Sequence, residues 1–566
     1  MEICKLVQGS WLATSLLLLC CADSGGSRGF DVGMESIRVE ELMEKVERLA
    51  SDEFQGRLPG TPGEELTINY LAEQFSRNGL SRARSDGSYF QSVPLLGITS
   101  TPEGGLVVTR GSSRVEFEYR NEFMGGTRHV KNRVQVSNSE LVFVGYGVLA
   151  PEYEWDDFGN FDLKGKTLIV LVNDPPLVDP DDNSKLDERM FGGRAMTYYG
   201  RWSYKYEIAA EKGAAACLII HETGPAGYPW EVVRAGWSGE QFDLMTEDQN
   251  LSRAAIEGWI TWETAEKIFQ LAGRNLQELK EAAAQSRFEP VPLDLKVSVA
   301  VRNTLHPITS NNVIARLEGS DPQLKDEHVI YLAHWDHMGT DSELEGDQIY
   351  NGARDNGTGT AALLELAEAF AALKTPPRRS ILFLGSTAEE QGLLGSRYYT
   401  ERPLYPLAKT AAVINMDAMN IWGRTTDVTV VGLGNSTLDD VLAEAAHELG
   451  RTLRADPEPE KGFFYRSDHF SFAKQGVPSL YVDPGVDFIG QPEGWGLEKR
   501  SEYTRERYHK PADEVDSTWD LSGLVDDLRL LFLVGYRVAN QDVYPEWKSG
   551  TEFKAKREQM LLEAGQ

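Results

Sequence analysis

From residue 311 onward, short runs of apolar side chains alternate with longer stretches whose apolar positions recur at helical spacing. The runs at 329–333, 381–384, 411–415 and 428–432 predict strands, and helices are expected at about 359–373 and 437–449. Strand and helix in alternation predict an α/β sheet covered by helices on both faces. A last helix is expected over 521–540, with little beyond it.

Two further textures precede this region. Residues 39–91 hold an amphipathic stretch at 40–50 and a second helix at about 64–78. Between them lies the glycine- and proline-rich turn 54–63, which contains Arg57, Leu58, Pro59, Gly60 and Thr61. From about 97 to 299 the pattern changes to short β-like runs such as 141–144 and 167–172, separated by turns. Gly145, Gly147, Asp156, Asp157, Phe158, Lys164, Gly165 and the helix before Gly213 make this stretch resemble a protease-associated domain, mainly β, inserted into a larger enzyme. Such an insert is expected to govern substrate access rather than chemistry.

Length and composition add limits. A chain of 566 residues is expected to fold as two or three compact units. Apolar residues at 41% and charged residues at 25% exclude a disordered chain and a polytopic membrane protein. The formal charge of −30 repels phosphate backbones, so nucleic acid is not an expected partner, while cationic ligands are mildly favoured.

The first 21 residues, with Lys5 and an apolar run at 11–19, read as an export signal that is too short to span a bilayer. Leucines before Cys20 and Cys21 resemble a lipobox with Cys21 as the modified residue. The expectation is therefore an exported protein of the periplasm or cell envelope, either anchored at Cys21 or secreted, with membrane contact only through that anchor. After the leader only Cys217 remains, in an apolar run, so no intrachain disulfide is expected and the thiol reads as inert. The expected division is 1–21 signal, 22–35 linker, 36–96 and 301–566 main domain, and 97–300 inserted region.

Five segments carry candidate chemistry. His334 ends an apolar strand, where open α/β sheets bind ligands, and Asp336 lies two residues on, placed to orient its imidazole. Asp355 precedes an alanine- and leucine-rich helix and reads equally as a cap or as a metal ligand. Glu389 and Glu390 follow another strand, and two jobs fit them: one carboxylate on a metal, one moving a proton. Asp417 ends a fourth apolar segment, and His509 lies in a loop. Together they supply the nitrogen and oxygen donors that zinc accepts, and five donors suit two zinc ions sharing a carboxylate.

The order and wording of these segments resemble the di-zinc aminopeptidase family that also contains glutamate carboxypeptidase, glutaminyl cyclase and transferrin receptor. The resemblance covers nearly the whole mature chain, including the turn at Arg57 and the segment Arg466, Ser467, Asp468 and His469. It implies a zinc exopeptidase fold with a mixed central sheet and two Zn2+ per chain. In that implication His334 and Asp417 hold one ion, Glu390 and His509 the other, and Asp355 bridges them. Glu389 is the implied general base and Asp336 the support of His334. His337 has no implied ligand role, and Tyr465 is at most an extra oxyanion donor, with ordinary packing the plainer reading. The implied activity is hydrolysis of N-terminal residues from peptide substrates by a metal-activated water. Carboxypeptidase is the serious competitor, because Arg354, Arg466 and Arg507 lie in the ligand segments; a cyclase or a non-catalytic receptor fits less well. Oligomeric state is not legible.

Overall fold

The computed structural model describes residues 29–83 and 87–565, so the leader and Cys21 lie outside the described residues. The architecture turns on eight strands: β1 (Phe90–Pro102), β2 (Val291–Leu317), β3 (His328–His334), β4 (Ser380–Ser386), β5 (Thr410–Asn415), β6 (Asp427–Val431), β7 (Thr452–Ala455) and β8 (Ser479–Asp483). The end of β2 runs antiparallel to β4, and β4, β3, β5 and β8 are parallel neighbours in that order. β8 then pairs antiparallel with β6, and β6 parallel with β7. The central sheet is therefore mixed.

Every residue of β3, β4 and β5 is buried, as a parallel strand covered on both faces requires. Alternate residues feed separate cores. Val329, Tyr331, Ala333, Ile381 and Phe383 pack with helices α1 (Val39–Leu49), α2 (Pro62–Arg77), α3 (Gly359–Ala371), α4 (Leu438–Glu448) and α5 (Ser522–Asn540). On the other face Ile330, Leu332, Leu382, Leu384 and Val413 meet Tyr399 and Phe472. A further helix, Lys554–Ala564, extends the C-terminal region beyond the single helix expected there. Its Arg557 donates to the main-chain oxygens of Thr410 (2.9 Å) and Leu407 (3.1 Å).

The inserted region has its own sheet. Arg133–Phe143, Thr167–Leu171, Ala216–His221 and Ile256–Thr261 pair in parallel where they meet, and Phe123–Gly126 closes the edge antiparallel. Helices Trp202–Glu211 and Trp262–Ala272 bury residues in the same apolar cluster. β1 and β2 connect the two parts as an antiparallel ribbon, paired from Pro102 opposite Val301 to Phe90 opposite Val313. The expected boundaries at 96/97 and 300/301 thus fall inside two continuous strands. No helix of the described residues is long and apolar enough to cross a membrane.

Candidate metal centre

Register brings the first candidate ligands together. His334 is opposite Ser386 in the β3–β4 pair, and Leu332 is opposite Asn415 in the β3–β5 pair. The residues just past these ends, Glu389, Glu390 and Asp417, therefore emerge beside His334 at the carboxyl edge of the sheet. Asp355 arrives from the turn before α3. There Asn356, rather than Asp355, takes the capping role, accepting from Gly359 N at 2.9 Å and donating to Met416 O at 3.1 Å.

Asp355 lies between two histidines. Its Oδ1 is 3.5 Å from His334 Nε2 and its Oδ2 is 3.3 Å from His509 Nε2. His334 Nε2 is also 3.3 Å from Asp417 Oδ1, and His509 Nε2 is 3.1 Å from Glu390 Oε2. Glu389 Oε2 stands farther off, 3.9 Å from His334 Nε2. The donor atoms of His334, Asp355 and Asp417 are close enough to share one ion, as are those of His337, Asp355 and Glu390. All seven residues singled out in the sequence converge here.

The two adjacent glutamates sit in different fields. Burial, with Asp417 and Glu390 nearby, holds the Glu389 carboxyl well above the usual range despite the opposing pull of His334. Burial also works against ionising Glu390, yet His509 and His337 bring it down to about 2. Asp355, equally buried, is held well below the usual range by hydrogen bonds from His334 and His509. Neighbouring carboxyls with pKa values pushed apart are suited to separate roles, one proton-carrying and one permanently anionic.

Asp336 acts on a different target from the one expected. Its carboxylate accepts from Glu389 N at 3.0 Å and from Glu390 N at 3.4 Å, whereas its nearest approach to His334 Nδ1 is 3.8 Å. The ring of His334 is oriented instead by the Asp336 main-chain oxygen, 3.2 Å from Nδ1. His337 is fully buried, and its Nδ1 lies 2.6 Å from Glu390 Oε1, so it touches a candidate ligand directly. Tyr465 donates to Glu552 at 2.8 Å and packs on Tyr198 and Phe470, the arrangement of an ordinary packed tyrosine.

Three supporting groups had no role assigned from the sequence. Arg57, buried, donates to Trp335 O, Asn351 O and Gly352 O at 2.9, 2.6 and 2.8 Å, which ties the His334 turn to the Asp355 turn. Asp513 accepts from the main-chain N of Asp355 and from the Tyr503 hydroxyl, both at 3.0 Å. Ser467 Oγ donates to Asp417 Oδ2 at 2.7 Å. Of the three arginines in the ligand segments, Arg507 pairs with Asp516 at 2.7 Å. Arg354 is sandwiched by Trp422 and Tyr503 and donates to Met419 O. Arg466 lies over the Phe463 ring, 5.4 Å from its centroid, and its buried Nε has no hydrogen-bond partner among the described residues.

Residues 312–532 match the model of Peptidase family M28. Among curated relatives, aminopeptidase NAALADL1 of Mus musculus is 34% identical over 171 residues, covering 29% of this chain and 20% of that protein. Leupeptin-inactivating enzyme 1 of Streptomyces exfoliatus is 29% identical over 216 residues, 38% of this chain and 45% of that protein. The chain thus spans less than half the length of these two relatives. Among solved structures, the aminopeptidase from Aneurinibacillus sp. strain AM-1 aligns over 91% of this chain and 97% of its own, at 18% identity and a TM-score of 0.46.

Proposed function

We propose, from the match of residues 312–532 to the model of Peptidase family M28, that this chain is a zinc-dependent exopeptidase that removes residues from the N-terminus of peptides. One observation carries the reading: the two oxygens of Asp355 face His334 on one side and His509 on the other. A carboxylate so placed, with Asp417 and Glu390 completing the two sides, fits a pair of zinc ions in donor type and number. Zinc bound there supplies Lewis-acid chemistry, making water acidic enough to deprotonate near neutral pH and polarising the scissile carbonyl.

The chain's own residues do the rest. Glu389 Oε2 takes the proton of the attacking water and returns it to the leaving amine, a role that matches a buried carboxyl held above its usual range. Asp336 fixes the main chain of Glu389 and Glu390, so the proton carrier and its ligand neighbour keep one geometry. His337 engages Oε1 of Glu390 and leaves Oε2 turned to His509. The acidic groups around the centre favour a cationic α-amino group.

Carboxypeptidase activity is the second reading, favoured by Arg466, whose Nε has no hydrogen-bond partner among the described residues. Hydrolysis of amino-acid amides, free dipeptides and N-acetylated peptides, with and without a chelator, tests the proposal. Chelator-sensitive release from free N-termini is expected. Release of C-terminal residues from N-acetylated peptides, with none from free N-termini, overturns it.

A further inference from the structure

Asp355 and His509 lie outside the strands and Asp417 just past the end of β5, so sheet register alone does not fix these three against one another. One buried side chain touches all three of their segments. Arg354, 6% exposed, immediately precedes Asp355. Its Nε donates at 3.1 Å to the main-chain oxygen of Met419, two residues beyond Asp417. Its guanidinium carbon lies 4.6 Å from the ring centre of Trp422, in the same segment as Asp417. It lies 4.3 Å from the ring centre of Tyr503, on the helix Trp495–Glu506 that leads into the His509 loop.

The main chain repeats these links. Arg354 N donates to the Asp513 carboxylate at 3.2 Å, and the same carboxylate accepts from Asp355 N and from the Tyr503 hydroxyl, both at 3.0 Å. Thr358 Oγ1 donates to Arg354 O at 2.7 Å and accepts from Met419 N at 3.0 Å. Tyr503 therefore flanks the guanidinium with its ring and reaches Asp513 with its hydroxyl. All of these contacts lie within the main domain; none crosses the seam where Tyr198 of the inserted module packs on Tyr465.

We propose that Arg354 is a positioning residue of the metal centre, setting where Asp417 and His509 stand relative to Asp355. The inference rests on the two-zinc reading of the centre and deepens it. Arg57 ties the Asp355 turn to the His334 turn, and Arg354 ties it to the other two ligand segments. The task needs a guanidinium: it is planar, so it lies against aromatic rings, and it keeps a fixed Nε donor for a carbonyl, whereas an ammonium is a point charge on a flexible stem.

Zinc titration of the metal-stripped protein by calorimetry tests this without any peptide. R354Q should weaken both ions by about 10–100-fold, the scale of a group that orients ligands. R354K keeps the charge and should recover only part of the loss; parental affinity in R354K overturns the positioning role, whether or not R354Q folds. R354Q and W422A should not add, because they break one unit, so the double variant should bind zinc as R354Q does. Full additivity overturns the unit. Arg379 is the control: it is 1% exposed, lies over the Tyr544 ring and immediately precedes β4, at the opposite end of that strand from Glu389 and Glu390. R379Q should lower the unfolding temperature and leave zinc affinity unchanged. Equal weakening of zinc in R379Q and R354Q makes the loss a general one and overturns the inference. A parent that binds two ions and an R354Q protein that binds them weakly, with no peptide hydrolysed by the parent, keep the inference and defeat the exopeptidase reading; a parent that binds no zinc defeats both.

Discussion

The two sides of the candidate centre are built by different means. His334 is the last residue of a buried parallel strand and is only 1% exposed, with its neighbour Asp417 just past the end of the adjacent strand. His509 lies in a loop, has a left-handed backbone (φ 56°) and a side chain 33% exposed. Sheet register places the first; the second is held by the stacked Tyr508 and by Glu390, itself fixed by His337. A site made this way has one side set by the fold and one that depends on a few side chains.

Glu389→Gln carries the largest expected effect on turnover, a loss of roughly 10²–10⁴-fold with both metal sites intact, because it removes the proton carrier without touching either side. Metal analysis beside kinetics checks this. Loss of metal in that variant, with Glu390→Gln instead keeping metal and losing turnover, exchanges the two roles.

The comparison of sides is sharpened by perturbing them singly. His337→Gln should weaken one zinc ion by about 10–100-fold and leave the other nearly unchanged, the scale of a group that supports a ligand. Stepwise zinc titration reads this; an equal loss at both ions breaks the comparison. Asp336→Asn should act on the proton carrier and on the Glu390 side together, since it holds the main chain of Glu389 and Glu390, with a loss of activity of about 10–100-fold. The smallest effect is expected at the seam: Tyr465→Phe deletes one hydrogen bond to Glu552 and should cost about 1 kcal/mol in thermal or denaturant unfolding, with zinc binding unaffected.

How much of this was legible follows the same division. Apolar runs ending in His334 or just before Asp417 announce strand ends, and the pairing that aligns them is a regular consequence of parallel strands. His509 has no local pattern around it and was assigned only through resemblance. Arg57 is 278 residues from the Trp335 oxygen it binds, and nothing in a glycine- and proline-rich turn says which distant carbonyls an arginine will reach. Asp336 was placed correctly near His334, but whether its carboxylate turns to an imidazole or to the Glu389 amide depends on loop geometry that spacing does not encode. Domain limits were blurred because the alternation of β1 and β2 continues without a break across both modules.

The bridging position of Asp355 is the central claim, and zinc titration of metal-stripped protein followed by metal analysis tests it most directly. Two ions per chain are expected at saturation, with Asp355→Asn weakening both. Saturation at a single ion, or an Asp355→Asn protein that still binds two ions at parental affinity, would contradict it.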